Sequence, residues 1–525
     1  MTILFRDGIF HSGRSETDTF SFMTVRNGVI TGTYHQRPEG KFSKEVSLNG
    51  KHAYPCLIDA HIHMLYTIAT MGMGFNVCEI TPDGVFPDKL SDIERKIREF
   101  ASGKPRNAVI AANNYILSAV DELRLPTRTE LDEWAGGRAI VVYNIDGHSS
   151  SLSTAMLQKL GIDPAGHSGI LFGEDHERIQ GRLTDIIGAS ITLPVLAKGI
   201  ANFQNACASY GISAVGALEG NGDSPKDPTT SLIVHLARHF DIDVRFYFQY
   251  MDISRAEKLS KFQLHRRIGG CGDWQMDGSV GSHSAAFPFP YKDTGKSAPC
   301  YYSPDELEKR ILEADRKGFQ IAGHAIGTSA IHMFLKALSK TSSGMHHRIE
   351  HCEFISDEDL DLLEETGCSV TMQPGYAWID RKYLHTYEKF LPDDAIRSMK
   401  LRSICRKANV CASTDSPVQS LDPFLQMLGM ADFTVPSESV SVYEAFRAYT
   451  SHPARAILEE DTRGTLETGK YADFFVSSAD LFSLSPDALP GFTVEESWYK
   501  GKKYIPKSGT VSELLCSLLK KAKKV

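Results

Sequence analysis

Two histidines one residue apart stand in the run Ile58-Asp59-Ala60-His61-Ile62-His63. On a β-strand, side chains at i and i+2 project to the same face, so His61 and His63 would present their imidazoles side by side. Neutral imidazole is a ligand for divalent transition ions, and two neighbouring rings suit one such ion. The pair alone is a weak signal, because two unrelated histidines give the same pattern. Three further positions share its setting. His324 follows Gln320-Ile321-Ala322-Gly323, His351 follows Arg348-Ile349-Glu350, and Asp415 follows Val410-Cys411-Ala412-Ser413-Thr414. Each polar residue ends a strand-like run, where burying an imidazole or carboxylate is costly unless it is paired or ligated. Four strand ends with the same chemistry point to a shared metal centre. Imidazole combined with carboxylate suits zinc, iron or manganese.

Such a centre needs a scaffold that gathers distant strand ends. Strand-like runs occur at Leu57–His61, Ser213–Leu218, Val244–Gln249, Asp273–Asp277, Gln320–His324, Arg348–His351, Ser369–Gln373 and Val410–Thr414. Several are almost wholly apolar, as strands covered on both faces must be. Helices alternate with them. Ser303-Pro304-Asp305-Glu306 opens one with an N-cap, a proline at N1 and acids in the first turn, and Ser356-Asp357-Glu358-Asp359 opens another that Gly367 closes. The alternation predicts an α/β chain with a parallel sheet, and eight repeats predict a closed (β/α)8 TIM barrel with its site at the C-terminal strand ends. A ninth strand candidate, Ala139–Ile145, lies in a stretch from about 65 to 200 that is too long for a barrel connection. It is assigned to an insertion over the barrel mouth. Both ends of the chain read as hairpins, with turns at Arg26-Asn27-Gly28 and Lys500-Gly501-Lys502. They predict one small β-sandwich domain from residues 1–53 and 465–525, beside a barrel body of residues 54–464.

The bulk properties narrow the function. The 525 residues are 42% hydrophobic and 23% charged, as in an ordinary globular enzyme, and the net charge of -8 leaves no basic face for nucleic acid. No run approaches the length of a membrane span, and Arg6 and Asp7 stand where a signal peptide needs apolar residues. Ten cysteines without CxxC spacing suggest reduced thiols and a cytoplasmic setting. The expected partner is a small-molecule substrate, with no nucleic acid, no membrane and at most self-association into a homodimer.

In order along nearly the whole chain, the motifs resemble the amidohydrolase superfamily, in particular the YtcJ-like hydrolases of amidohydrolase family 3. The resemblance rests on Leu57 to His63, Asp146-Gly147-His148-Ser149, Asp277-Gly278-Ser279-Val280-Gly281-Ser282, His324-Ala325-Ile326-Gly327, Arg348-Ile349-Glu350-His351, Ser413-Thr414-Asp415-Ser416-Pro417, Ala445 to Thr450 and Gly464 to Asp473. It implies a hydrolase that cleaves a non-peptide C–N (amide-type) bond of a small molecule with metal-activated water. His61, His63, His324, His351 and Asp415 would be the ligands of a divalent metal, zinc ahead of iron or manganese, as one or two ions. Asp415 would also take the water's proton and return it to the leaving nitrogen. His148 would hold the substrate carbonyl.

The sequence departs from the family at three places. Two-metal relatives carry a bridging residue, often a carboxylated lysine, ahead of the Asp-Gly-Ser run. Here Asp273 stands near that place, so either Asp273 bridges two ions or, the favoured expectation, one ion is held. His283 stands where relatives often carry arginine, and Thr328 where they carry an acid, and both changes are expected to alter the substrate pocket. The same ligand set also serves C–C hydrolysis, decarboxylation and iron-dependent oxidation. A non-catalytic relative is the remaining alternative, and retention of all five ligands argues against it.

Overall fold

The computed structural model describes residues 2–73, 75–81, 84–222 and 226–525. Eight parallel strands form its central sheet: β1 (Leu57–Ile62), β2 (Ile212–Glu219), β3 (Asp243–Phe248), β4 (Arg267–Gln275), β5 (Gln320–Ala325), β6 (Arg348–His351), β7 (Ser369–Met372) and β8 (Asn409–Ala412). They neighbour one another in chain order, and the sheet closes between β8 and β1. There the Asp415 N–H donates to the His61 carbonyl at 2.9 Å, the His63 N–H donates to the Ser416 carbonyl at 2.9 Å, and the Thr414 hydroxyl donates to the Asp59 carboxylate at 2.6 Å. Every residue of β1, β2 and β3 is buried, which is why these runs are apolar without alternation. The caps read from the sequence hold: Ser303 accepts from the Glu306 N–H, Ser356 from the Asp359 N–H, and Gly367 ends its helix at φ 61°.

β4 begins well before the predicted Asp273–Asp277. Its first half is the glycine-rich run Arg267-Ile268-Gly269-Gly270-Cys271-Gly272. The glycines serve close approach. A Cβ on Gly269 (φ +100°) would lie 1.9 Å from the Ala322 carbonyl oxygen, and one on Gly270 (φ +108°) would lie 2.4 Å from the Leu218 side chain. The register with β5 breaks between Gly270 and Gln275, and the break turns Cys271 into the barrel. Gly269→Ala should therefore cost clearly more than the usual ~1 kcal/mol of a glycine-to-alanine mismatch, because it adds a backbone clash to a disfavoured φ. Urea unfolding measures this, and an unchanged midpoint would rule the close-packing account out.

Ala139–Asn144 is a strand outside the barrel. It lies in a four-stranded sheet with Val109–Tyr115, Ser149–Leu152 and Ile170–Phe172. From this sheet the helix Glu174–Ser190 runs over the barrel mouth. At the other side of the barrel, Phe474–Ser477 from the C-terminal part pairs with His52–Pro55 from the N-terminal part. That six-stranded sheet packs against a four-stranded sheet of Thr2–Arg6, Phe22–Arg26, Val29–Tyr34 and Lys44–Ser47. Phe5, from the second sheet, meets the edges of Phe474 and Trp498 from the first, each at 5.1 Å between ring centres. None of the ten cysteines forms a disulfide, and no single described helix is long and apolar enough to cross a membrane.

Candidate metal centre

Side chains from five barrel strand ends converge at the C-terminal mouth. His61 and His63 come from β1 and its end, Cys271 from β4, His324 from β5, His351 from β6, and Asp415 from the turn after β8. Their donor atoms form overlapping groups whose members all lie within 4.8 Å of one another: His61, His63 and Cys271; Cys271, His324 and His351; and His61, His351 and Asp415. The Cys271 sulfur is 3.8 Å from His61 Nε2, 3.8 Å from His324 Nδ1 and 3.9 Å from His351 Nε2. It thus belongs to two of the three groups.

The hydrogen bonds behind three of the rings decide which nitrogen faces the centre. His61 Nδ1 lies 2.7 Å from Glu350 Oε2, and His351 Nδ1 lies 2.6 Å from Gln373 Oε1. His324 Nε2 lies 3.2 Å from the Gly278 carbonyl oxygen. Each of these partners is an acceptor, so the ring nitrogen facing it carries the proton. The opposite nitrogen, Nε2 of His61 and His351 and Nδ1 of His324, is then a bare lone pair aimed at the cluster. Glu350 is itself fixed by two bonds from Arg348, at 2.9 and 2.8 Å, and the Gln373 amide donates to Ser413 at 2.9 Å. Glu350→Gln should weaken divalent-metal binding by roughly 10–100-fold, the usual cost of losing such a support. Competition with a chromogenic chelator reads that change, and unaltered affinity would show that Glu350 serves only Arg348.

Asp415 Oδ1 supplies the clearest test of whether this donor set fits an ion. It is buried and has no hydrogen-bond partner, although it lies 3.1 Å from His61 Nε2 and 3.2 Å from His63 Nε2. A buried carboxylate oxygen left in this way is costly, and an ion shared with the two imidazoles removes the cost. The electrostatics agree. Burial pushes the Asp415 carboxyl up, but His61 and His63 outweigh it and hold it well below the usual carboxylate range. Burial likewise pushes the Cys271 thiol up, and His61, His324 and His351 hold it far below its ordinary value. Without an ion, protons on His61 and His63 balance the thiolate and the carboxylate. Burial lowers the pKa of both rings, but the two acids override it and raise the pKa above its ordinary value. A divalent ion would take the place of those protons and leave the ring lone pairs as ligands. Asp415 (φ 56°) and His351 (φ 69°) both hold left-handed backbone conformations that non-glycine residues rarely adopt.

The other sequence candidates fall differently. Asp273 lies outside the cluster: its carboxylate accepts from the Met251 N–H at 3.1 Å and packs against Gly222, because the register break in β4 sends Cys271 inward and Asp273 aside. His283 does not line the central cavity. Its ring packs 4.2 Å from Phe390, and Nε2 meets Asp293 at 2.8 Å. His148 does reach the site, with its ring 5.3 Å from that of His324 and Nδ1 bonded to Glu177 at 2.8 Å. Burial pulls the His148 pKa down, but Glu177 overrides it and raises the pKa to about 9. Tyr376 lines the cavity of about 450 Å³ above the cluster, whereas Trp378 turns away and donates to Asp432. Cys271, Glu350, Gln373 and Glu177 belong to the site as well, beyond the residues expected from the sequence. An isolated cysteine in a glycine-rich strand was the available signal for the first of them.

A (β/α)8 barrel with a cluster of potential metal ligands at its C-terminal mouth is an enzyme scaffold. The sequence model described as the amidohydrolase family matches residues 44–504, and the chain belongs to that family. Hydrolysis supported by a divalent metal is the chemistry that this membership implies. The chain is 23% identical to YtcJ of Bacillus subtilis strain 168, named as an amidohydrolase, over 97% of its own length and all of that protein. It is 23% identical to the N-substituted formamide deformylase of Arthrobacter pascens, over 89% of this chain and 90% of that one. A crystal structure of an uncharacterized metal-dependent hydrolase from Pyrococcus furiosus shares its fold, with a TM-score of 0.70 and 21% identity, covering 92% of this chain and all of the other.

Proposed function

We propose that the protein hydrolyses a non-peptide, amide-type C–N bond of a small molecule, with two zinc ions at the strand ends. The observation that carries this reading is the position of Cys271, within reach of both histidine pairs. His61, His63 and Asp415 would hold one ion and His324 and His351 the other, with the Cys271 thiolate between them. This reading takes up the two-ion alternative, with Cys271 in the shared position considered for Asp273, in preference to the single ion favoured from the sequence. A thiolate among imidazoles favours zinc over the harder manganese. When bound, such ions acidify water and polarise a carbonyl.

The chain's own residues supply the rest. Asp415, held ionised, accepts the proton of the attacking water and passes it to the leaving nitrogen. His148 is oriented by Glu177, which occupies Nδ1 and leaves Nε2–H as a donor for the substrate carbonyl. Its elevated pKa keeps it charged at neutral pH. The formamide deformylase among the relatives acts on a bond of this class.

A panel of simple amides, assayed by amine release with zinc-loaded protein, tests the reading. Turnover that zinc supports and chelation stops is expected. Oxygen uptake with the iron-loaded protein and no amine release from any amide would move the assignment to oxidation.

A further inference from the structure

Another group of donors lies outside the barrel, in the β-sheets that both ends of the chain build. His11, His52 and Asp480 each offer a ligand atom, and the three atoms lie within 4.8 Å of one another. Strand pairing brings them together. Ile9–His11 runs parallel to His52–Pro55 with Ile9 opposite His52, so His11, His52 and Tyr54 share one face of the sheet. Phe474–Ser477 pairs with the same central strand, and its last residue, Ser477, lies opposite His52. Asp480 follows in the turn beyond it.

The three side chains are set as ligands of one ion would be. His11 is buried, and its ring stacks on Tyr54 at 4.4 Å between ring centres. His11 Nε2 faces His52 Nδ1 at 3.0 Å, and the other nitrogen of the His11 ring, Nδ1, has no hydrogen-bond partner. Two nitrogens at about 2.0–2.1 Å from a shared ion lie roughly 2.9–3.4 Å from each other, so the observed separation suits a chelating pair. The Tyr54 hydroxyl and the Phe482 N–H each donate to Asp480 Oδ1 at 3.1 Å, and no described residue donates to Oδ2. A ring ligand must be neutral. Burial, aided by His52 and opposed by Asp480, pulls the His11 pKa down to about 4, which leaves that ring uncharged at pH 7. His52 and Asp480 are half-buried, so an ion can enter from solvent on their side.

We infer that His11, His52 and Asp480 form a separate metal site, which takes one divalent ion of the zinc, nickel or copper class with water completing its shell. Two imidazoles and one carboxylate favour such ions over calcium or magnesium, which prefer oxygen ligands throughout. The ion would tie the chain up to Pro55 to the segment after Ser477, a structural role independent of the barrel chemistry. With three protein ligands, two of them half-buried, this site should fill after the barrel centre.

Calorimetric zinc titration of the parent, His52→Ala and Asp480→Asn tests the site. Asp480→Asn keeps an oxygen for Tyr54 and Phe482 while removing the charge, so it decides the matter even if His52→Ala folds poorly. The parent should take up one more equivalent of zinc than either variant, or bind that equivalent at least about 10-fold more tightly. The equivalents bound at the barrel should be unchanged. Because an ion held by the folded state stabilises it, excess zinc should also raise the unfolding midpoint of the parent further than that of either variant. Equal uptake at equal affinity in the parent and Asp480→Asn would leave a ring-to-ring hydrogen bond here and overturn the proposal.

Discussion

Asp415→Asn should keep much of its metal and lose turnover by 10²–10⁴-fold or more. The substitution retains an oxygen that can reach an ion, but an amide cannot accept a proton near neutral pH. General acid–base groups contribute roughly that factor, and Asp415 serves both proton transfers, so the loss belongs at the upper end or beyond. The backbone should tolerate the change. Asp415 has a φ of 56°, which asparagine adopts more readily than most residues, and its N–H would still donate to the His61 carbonyl. Metal counts and single-turnover rates on the same preparation check the expectation. Near-parental turnover with metal intact would move the shuttle elsewhere.

Much of this centre can be read in the sequence because barrel geometry converts a strand end into a site. His61, His324, His351 and Asp415 each close a buried strand-like run, and burial of such groups has few inexpensive explanations. Ala139–Ile145 could be excluded from the barrel by loop length alone. Cys271 escaped for a physical reason. Its neighbours Gly269 and Gly270 are glycines because β4 passes too close to Ala322 and Leu218 for side chains, and a glycine-rich run carries little strand signal. The strand starts at Arg267, six residues ahead of the expected Asp273, and Cys271 rather than Asp273 enters the cluster. The supporting bonds were invisible for a different reason. Glu350 to His61 and Glu177 to His148 join residues far apart in the chain, and no local pattern signals such a pairing. His283 could not be excluded either, since the turn that directs its ring toward Phe390 is a property of the backbone.

Cys271→Ala should be the second most damaging substitution. It removes the donor that lies within reach of both histidine groups, so under the two-ion proposal each ion would lose a ligand at once. Losing an outer support of a metal ligand already costs 10–100-fold in affinity, and loss of a shared ligand should cost more than that for at least one ion. Cys271 is enclosed by His61, His324 and His351, and the change deletes a single sulfur, so the barrel should fold with little change in midpoint. Cys271→Ser separates size from chemistry. It keeps the volume but replaces a thiolate with a hydroxyl that stays protonated, and it should resemble alanine in metal content. Full metal content in both variants would show that Cys271 only packs against the rings.

Zinc titration of the chelator-stripped protein, followed by amine release from a responsive amide, tests the central claim most directly. The account predicts that the stripped protein is inactive and that activity rises to a plateau at two equivalents of zinc per chain. It also predicts that Cys271→Ala never reaches that plateau. Hydrolysis by the stripped protein at the parental rate, or a folded protein that binds no divalent metal, would contradict it.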